Sequence, residues 1–178
     1  MSIRIGVAAL LLFLLCVPAA NWMIQHVGTV CVPNGPCLVP VAPGIMAPSG
    51  VLMIGLALVL RDVVQRCLGA VWGVAAVIVG TSLSMQVAPA SLVLASGAAF
   101  LLSELADFAV YTPLARRRLV TAVVASSFVG LVVDSLVFLT LAFGSLDFLA
   151  GQVIGKGWAV LLSIPAIRML RRVTPTPA

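Results

Sequence analysis

The sequence predicts an all-α, polytopic membrane protein, a bundle of six transmembrane helices with cytoplasmic N- and C-termini. Of its 178 residues, 62% are hydrophobic and only 8% are charged. The mean hydropathy of +1.25 lies far outside the range of soluble globular domains. Uncharged runs of about twenty apolar residues, the length that crosses one bilayer, recur along most of the chain. The arginines fall between these runs so that all of them lie on one side of the membrane.

The predicted spans form one domain over residues 1–178. In chain order they are Ile3–Ala20, Gly44–Leu60, Leu68–Ser84, Ser91–Ala109, Leu119–Phe143 and Phe148–Ile167. The first also resembles a cleaved signal peptide, because an apolar core behind Arg4 ends in Pro18-Ala19-Ala20. We expect it to be retained, since six spans make an even bundle.

The remaining spans are bounded by charges and turn signals. The second is the weakest, because it is short and begins in a Pro- and Gly-rich region; Arg61, Asp62 and Arg66 extend its helix into the cytoplasmic interface. A turn signal at residues 86–89 separates the third from the fourth. The fifth is long enough to be tilted, and arginines follow the sixth.

Charge sets the orientation. With the N-terminus inside, the cytoplasmic arginines are Arg4, Arg61, Arg66, Arg116, Arg117, Arg118, Arg168, Arg171 and Arg172. This positive-inside pattern predicts a multi-pass protein of the plasma (inner) membrane. The net charge of +5 is accounted for by topology, so no nucleic-acid partner is predicted; the expected surroundings are the lipid bilayer.

One sizeable extracytoplasmic loop is predicted, over residues 21–43. Cys31 and Cys37 flank a turn-forming sequence on the oxidising side of the membrane, and we expect them to form a disulfide. Their spacing matches no common zinc pattern. Asn21 and Trp22 are interpreted as part of the aromatic belt, with a place for Asn21 at the mouth of a site as the alternative.

Ionisable residues inside the spans are the candidate functional residues, because charges in hydrocarbon are costly and usually serve a function. Glu104, Asp107 and Tyr111 share one helix face. Arg61 and Asp62 come to a similar depth, which predicts an inner polar layer.

Asp134, Gln152 and Lys156 form a predicted outer polar layer. Asp134 and Lys156 lie on consecutive antiparallel helices, both roughly 12–14 Å below the outer surface. This matching depth predicts an ion pair between them. The alternative for both layers is that buried ion pairs merely hold the bundle together.

Motifs of catalysis are missing from the sequence. Gly155-Lys156-Gly157 lacks the flanking residues of a phosphate loop, and neither a metalloprotease His-Glu motif nor a nucleophile elbow occurs. We therefore predict no enzymatic activity, no cofactor and no metal.

Four motifs in a fixed order resemble one known family. They are Arg61-Asp62-x-x-x-Arg66-x-x-Gly69, Ser103-Glu104-x-x-Asp107-x-x-Val110-Tyr111, Ser126-x-x-x-Gly130-x-x-x-Asp134-Ser135 and Gln152-x-x-x-Lys156. From about Asn21 to Lys156 the chain is similar to the queuosine-precursor transporters, also called vitamin uptake transporters. The resemblance implies a six-helix carrier that imports 7-deazaguanines such as 7-cyano- or 7-aminomethyl-7-deazaguanine for tRNA-modification salvage.

The chemistry of such a nucleobase-like substrate suits the polar residues. Carboxylates accept its N–H groups, and a donor such as Arg61, Gln152 or Lys156 meets its carbonyl. We also expect an aromatic ring, of Trp158, Phe108 or Tyr111, to stack on the base. The candidate substrate-binding residues are Glu104, Asp107, Asp134, Lys156, Gln152, Arg61, Asp62 and Tyr111.

Three classes of function stay open at this point. The first is a secondary carrier, with proton coupling through a carboxylate as an option, for this or another purine-like or vitamin solute. The second is the substrate-binding subunit of an energy-coupling-factor importer, which the missing Ala-xxx-Ala spacing in the first span disfavours. The third is a membrane-embedded enzyme or passive assembly protein. An oligomer is compatible with all three.

Overall fold

The computed structural model describes residues 2–33, 35–115 and 119–173. Within these ranges it leaves out the side chains of Ser2, Asp62, Arg66, Ala70, Phe108, Tyr111, Thr112, Ala115, 119–124 and 163–173. The predicted roles of Asp62 and Tyr111 as ligands therefore lie outside the described side chains. The predicted anchor Arg116–Arg118 lies outside the described residues altogether.

The described chain is mostly helical, as the sequence predicts. Its helices are α1 (Ser2–His26), α2 (Val51–Leu68), α3 (Ala70–Ser84), α4 (Ala90–Ala115), α5 (Leu119–Phe143) and α6 (Leu149–Val173). Each predicted span overlaps one of them. Gly69, with a φ of 99°, separates α2 from α3, because this left-handed conformation ends a helix and glycine adopts it without steric cost.

Several helices are long and apolar enough to cross a membrane. Among the described residues three stretches qualify: Ile3–His26, Ala90–Asp107 and Ala125–Phe143. Val71–Ser84 and Leu149–Leu162 are shorter apolar helices, and α2 carries several charges along its second half. The chain is thus a helical membrane protein, while the count of six spans and the orientation of the termini stay predictions.

A small antiparallel sheet occupies the segment between α1 and α2, which the sequence did not predict. Its strands are β1 (Val30–Cys31), β2 (Cys37–Ala42) and β3 (Ile45–Pro48), in the order β1-β2-β3. The expectation that the second span begins at Gly44 is wrong: Gly44 has a φ of 71° in the β2–β3 turn, and its helix begins at Val51. Prolines in this segment cannot continue a helix ladder. The expected disulfide between Cys31 and Cys37 joins β1 to β2.

Helix α6 packs closely against the rest of the bundle at glycine residues. A Cβ atom added at Gly55 would collide with that of Ala159, so α2 and α6 pack backbone to backbone. One at Gly151 would collide with the Met46 carbonyl of β3. Small residues allow this approach without a hydrophobic driving force in lipid. Elsewhere α4 packs along α5, and α1 packs against α2 and α3.

Candidate functional site

A central cavity lies where all six helices converge. It holds about 490 Å³ of space, its open mouth included, and α1 to α6 each contribute lining residues. Small-molecule sites are mostly apolar with a few convergent polar groups, and the lining of this cavity has that character. Its polar lining residues are Asn21, Thr81, Ser96, Asp134, Gln152 and Lys156.

The ion pair predicted between Lys156 and Asp134 is present. The Lys156 Nζ atom lies 2.6 Å from Asp134 Oδ2 and also donates to Ser135 Oγ at 3.0 Å. The two charged residues are only 1% and 3% exposed. This pair joins α5 to α6, two helices that otherwise contact each other little. A buried pair of opposite charges leaves no net charge in the cavity wall.

Two buried amides present atoms without a partner to the same cavity. Asn21 is 0% exposed and Gln152 is 2% exposed, and neither Asn21 Nδ2 nor Gln152 Oε1 has a hydrogen-bond partner in the structure. Ser96 Oγ donates to Asn21 Oδ1 at 2.8 Å, which turns the amide so that its NH₂ group stays free. Unpaired buried polar groups are costly, so they point to a ligand that completes them.

Aromatic side chains also line the central cavity, but they are not the ones that the sequence indicated. Phe100 of α4 and Phe138 of α5 border the cavity. Trp158 is 50% exposed, and its Nε1 donates to the Val41 carbonyl of β2 at 3.1 Å. Trp158 thus lies outside the lining of the central cavity, and its stacking on a substrate stays a prediction. Phe108 and Tyr111 have side chains outside the described set.

The predicted inner layer is built around Glu104. This carboxylate forms an ion pair with Arg61 of α2, and its Oε2 accepts a hydrogen bond from Gln65 Nε2 at 3.1 Å. The Arg61 guanidinium also lies 5.9 Å from the centre of the Phe100 ring, close enough for a cation–π contact. Glu104 is thus occupied within the protein, so a direct role as a substrate ligand requires this cluster to rearrange.

Asp107 stands apart from that cluster. It borders a second cavity of about 500 Å³ between α2, α4, α5 and α6, together with Arg61, Ser103 and Ser127. Glu104 and Asp107 are on the same side of α4, yet their environments differ. Glu104 is ion-paired with Arg61, whereas Asp107 faces the second cavity.

The structure therefore divides the predicted residues into two places. Asp134, Gln152 and Lys156 meet in the central cavity, and Arg61, Glu104 and Asp107 gather around the second. Sequence reasoning missed Ser96 and Gln65, and it placed Asn21 in a loop although α1 runs on to His26. The signal for Asn21 was its position directly after an apolar run, which fits a span end as well as a loop. Among the described residues no cluster of three or more His, Cys, Asp or Glu side chains could hold a metal ion.

Comparison with known protein families identifies a match over most of the chain. The model of a family described as "Putative vitamin uptake transporter" matches residues 48–174. The chain belongs to this family. The resemblance inferred from the motifs is thereby confirmed, and the chain is a membrane transport protein. The match covers α2 to α6 and begins after Asn21. No curated protein and no solved structure matches the chain.

Proposed function

We propose that this vitamin uptake transporter imports a queuosine precursor of the 7-deazaguanine class, acting as a secondary carrier in the plasma membrane. All six helices span the bilayer in this proposal, with both termini in the cytoplasm and the small sheet outside. The substrate binds in the central cavity. The observation that carries the proposal is the pair of unpartnered amide atoms, Asn21 Nδ2 and Gln152 Oε1, in that cavity.

The two amides complement a guanine-like edge. A 7-deazaguanine carries a carbonyl acceptor next to ring N–H and amino donors. Gln152 Oε1 accepts from an N–H group, and Asn21 Nδ2 donates to an acceptor on the same base. A site that offers only donors or only acceptors would leave part of this edge unpaired, which is costly in a buried cavity.

The other lining residues support a flat heterocycle as cargo. Phe100 and Phe138 provide aromatic surface, and stacking of a base on an aromatic ring contributes about 1–3 kcal/mol. Asp134 offers a counter-ion to a precursor with a cationic aminomethyl arm, while Lys156 offers a donor to one with a nitrile. Since these two charges neutralise each other in the empty site, a neutral base enters without creating an unbalanced charge.

Uptake measurements test this proposal. Cells that cannot synthesise the precursor are supplied with the labelled base, and queuosine in their tRNA is measured with and without the transporter. Gln152→Leu removes one hydrogen bond and is expected to weaken uptake affinity by roughly 5- to 150-fold, the equivalent of about 1–3 kcal/mol. Gln86→Leu is the matched control, because Gln86 is exposed in the turn between α3 and α4.

Several outcomes would contradict the proposal. Wild-type protein that restores no queuosine would exclude these precursors as cargo, and equal uptake by both glutamine variants would exclude the central cavity as their site. An uncoupler, which collapses the ion gradient, tests whether the protein is a secondary carrier, because uptake by a secondary carrier stops when that gradient is lost. Uptake that needs a co-expressed ATPase complex would instead favour the substrate-binding subunit of an energy-coupling-factor importer.

A further inference from the structure

The second cavity is a space that substrate binding in the central cavity does not use. Its α4 residues Ser103 and Asp107 follow Phe100 of the central cavity by about one and two helical turns. The remaining walls come from α2, α5 and α6. The two cavities thus succeed each other along α4.

The charges around this cavity do not balance among the described side chains. Arg61 and Glu104, each with a side chain 12% exposed, neutralise each other. Asp107 is half-buried and makes no hydrogen bond or ion pair with any side chain that the structure describes. The lining residues of α5 and α6 carry no charge, and Lys156 on α6 is engaged by Asp134. Among the described side chains, Asp107 therefore borders the cavity without a direct partner of its own, and an unpaired charge within a span is costly.

Two oxygen atoms lie beside the space that Gly130 leaves open next to this carboxylate. A Cβ atom added at Gly130 would lie 3.8 Å from Asp107 Oδ1 and 3.5 Å from the Ser103 carbonyl oxygen, so glycine leaves room beside both oxygens. Ser127 adds a side-chain hydroxyl to the same lining. Carboxylate, carbonyl and hydroxyl oxygens are the ligands that hard cations prefer, and a carboxylate alone also binds a proton.

We propose that the second cavity is a binding site for a monovalent cation, a proton or Na⁺, with Asp107 as its charged ligand. The inference rests on the proposed function, since such a cation is what a secondary carrier couples to uptake. Occupancy neutralises Asp107 and leaves Arg61 with Glu104, over the Phe100 ring that borders the central cavity. When the cation leaves, Asp107 regains its negative charge. Because Asp107 lies one helical turn from Glu104, it then competes with Glu104 for Arg61. Arg61 thus links the state of the cation site to the boundary between the two cavities.

Labelling with a hydrophobic carbodiimide tests the site without any substrate. The reagent reacts with protonated carboxyl groups in apolar surroundings, and mass spectrometry of purified protein in detergent identifies the modified residue. Asp107 is expected to be labelled, whereas Asp147, exposed in the turn before α6, is the control. If the cation is a proton, labelling is lower at higher pH. If it is Na⁺, added Na⁺ at fixed pH protects Asp107 from labelling, whereas choline does not. Labelling of Asp107 no stronger than that of Asp147, or insensitive to both pH and Na⁺, would overturn the proposal.

Transport in proteoliposomes links the site to coupling. Accumulation driven by an imposed pH or Na⁺ gradient is compared with exchange of labelled for unlabelled precursor, which needs no gradient. In Asp107→Asn the ratio of accumulation to exchange is expected to fall by about tenfold or more, the equivalent of at least one unit of pH gradient, while Asp147→Asn keeps the wild-type ratio. Gly130→Ala, which narrows the space beside Asp107 Oδ1, is expected to lower the ratio as well.

An Asp107→Asn ratio equal to that of wild type would refute coupling at this site. Should wild-type protein exchange no precursor at all, the proposed function fails, and the labelling result still decides whether the cation site exists.

Discussion

Removing one partner of the ion pair between α5 and α6 is expected to destabilise the protein strongly. Lys156→Met deletes the ammonium group and leaves Asp134, only 3% exposed, without its counter-charge. The neighbouring hydroxyl cannot replace it, because Ser135 Oγ already donates to the Leu131 carbonyl. Breaking a buried pair in this way costs about 3–5 kcal/mol, or roughly 150- to 5,000-fold in the unfolding equilibrium.

Removing both charges together is expected to restore most of that loss. In the Lys156→Met/Asp134→Leu double variant no charge stays buried, and apolar residues of similar volume often match or exceed the stability of the pair they replace. The coupling energy of the double-mutant cycle should therefore amount to several kcal/mol, as for residues in direct contact. The restored protein should nevertheless transport poorly, since two polar groups of the central cavity are gone.

Unfolding of the purified protein in mixed micelles, titrated with SDS and followed by circular dichroism, measures these energies. Asp147→Asn is the control, because it changes an exposed carboxylate in a turn and should stay within about 0.5 kcal/mol of wild type. The reasoning would be refuted if Lys156→Met stayed within about 1 kcal/mol of wild type. A double variant that loses the sum of both single losses would refute it equally.

Two further predictions concern the sheet and its contact with α6. Gly151→Ala should cost about 1–3 kcal/mol in the same SDS titration, because its methyl group collides with the Met46 carbonyl, whereas Gly157→Ala, with nothing within 4 Å, should be tolerated; equal stability of both variants would contradict the close packing. Denatured protein should take up two alkyl groups before reduction and four after it, because Cys31 and Cys37 are bonded. Uptake of four groups without reductant would disprove the disulfide.

The helices and the ion pair could be predicted from sequence because their signals are local. Apolar length marks each helix, and the helical rise alone puts Asp134 and Lys156 at the same depth. The sheet was missed because residues 37–48 are as apolar as a span. Composition does not distinguish a transmembrane span from a hairpin here. The segment forms a hairpin because its prolines cannot continue a helix and Gly44 has a positive φ in the turn.

The contacts between individual side chains of the site could not be predicted from local sequence patterns. That Glu104 binds Arg61 while Asp107, one turn away, faces a cavity depends on how α2 sits against α4. Asn21 joins the site through Ser96, far along the chain, and only the packing of α1 against the rest of the bundle brings them together. The position of Trp158 depends on tertiary packing in the same way, since its indole N–H donates to the Val41 carbonyl of the sheet.

The sequence by itself determined that this is a helical membrane protein, because the bilayer imposes length and apolarity on every span and makes each charge within one conspicuous. Its motifs also identified the transporter family to which it belongs. The tertiary structure decided which polar groups have a partner within the protein and which described ones are left without one. That distinction depends on distances of a few ångströms between different helices, and no pattern within a single helix specifies them.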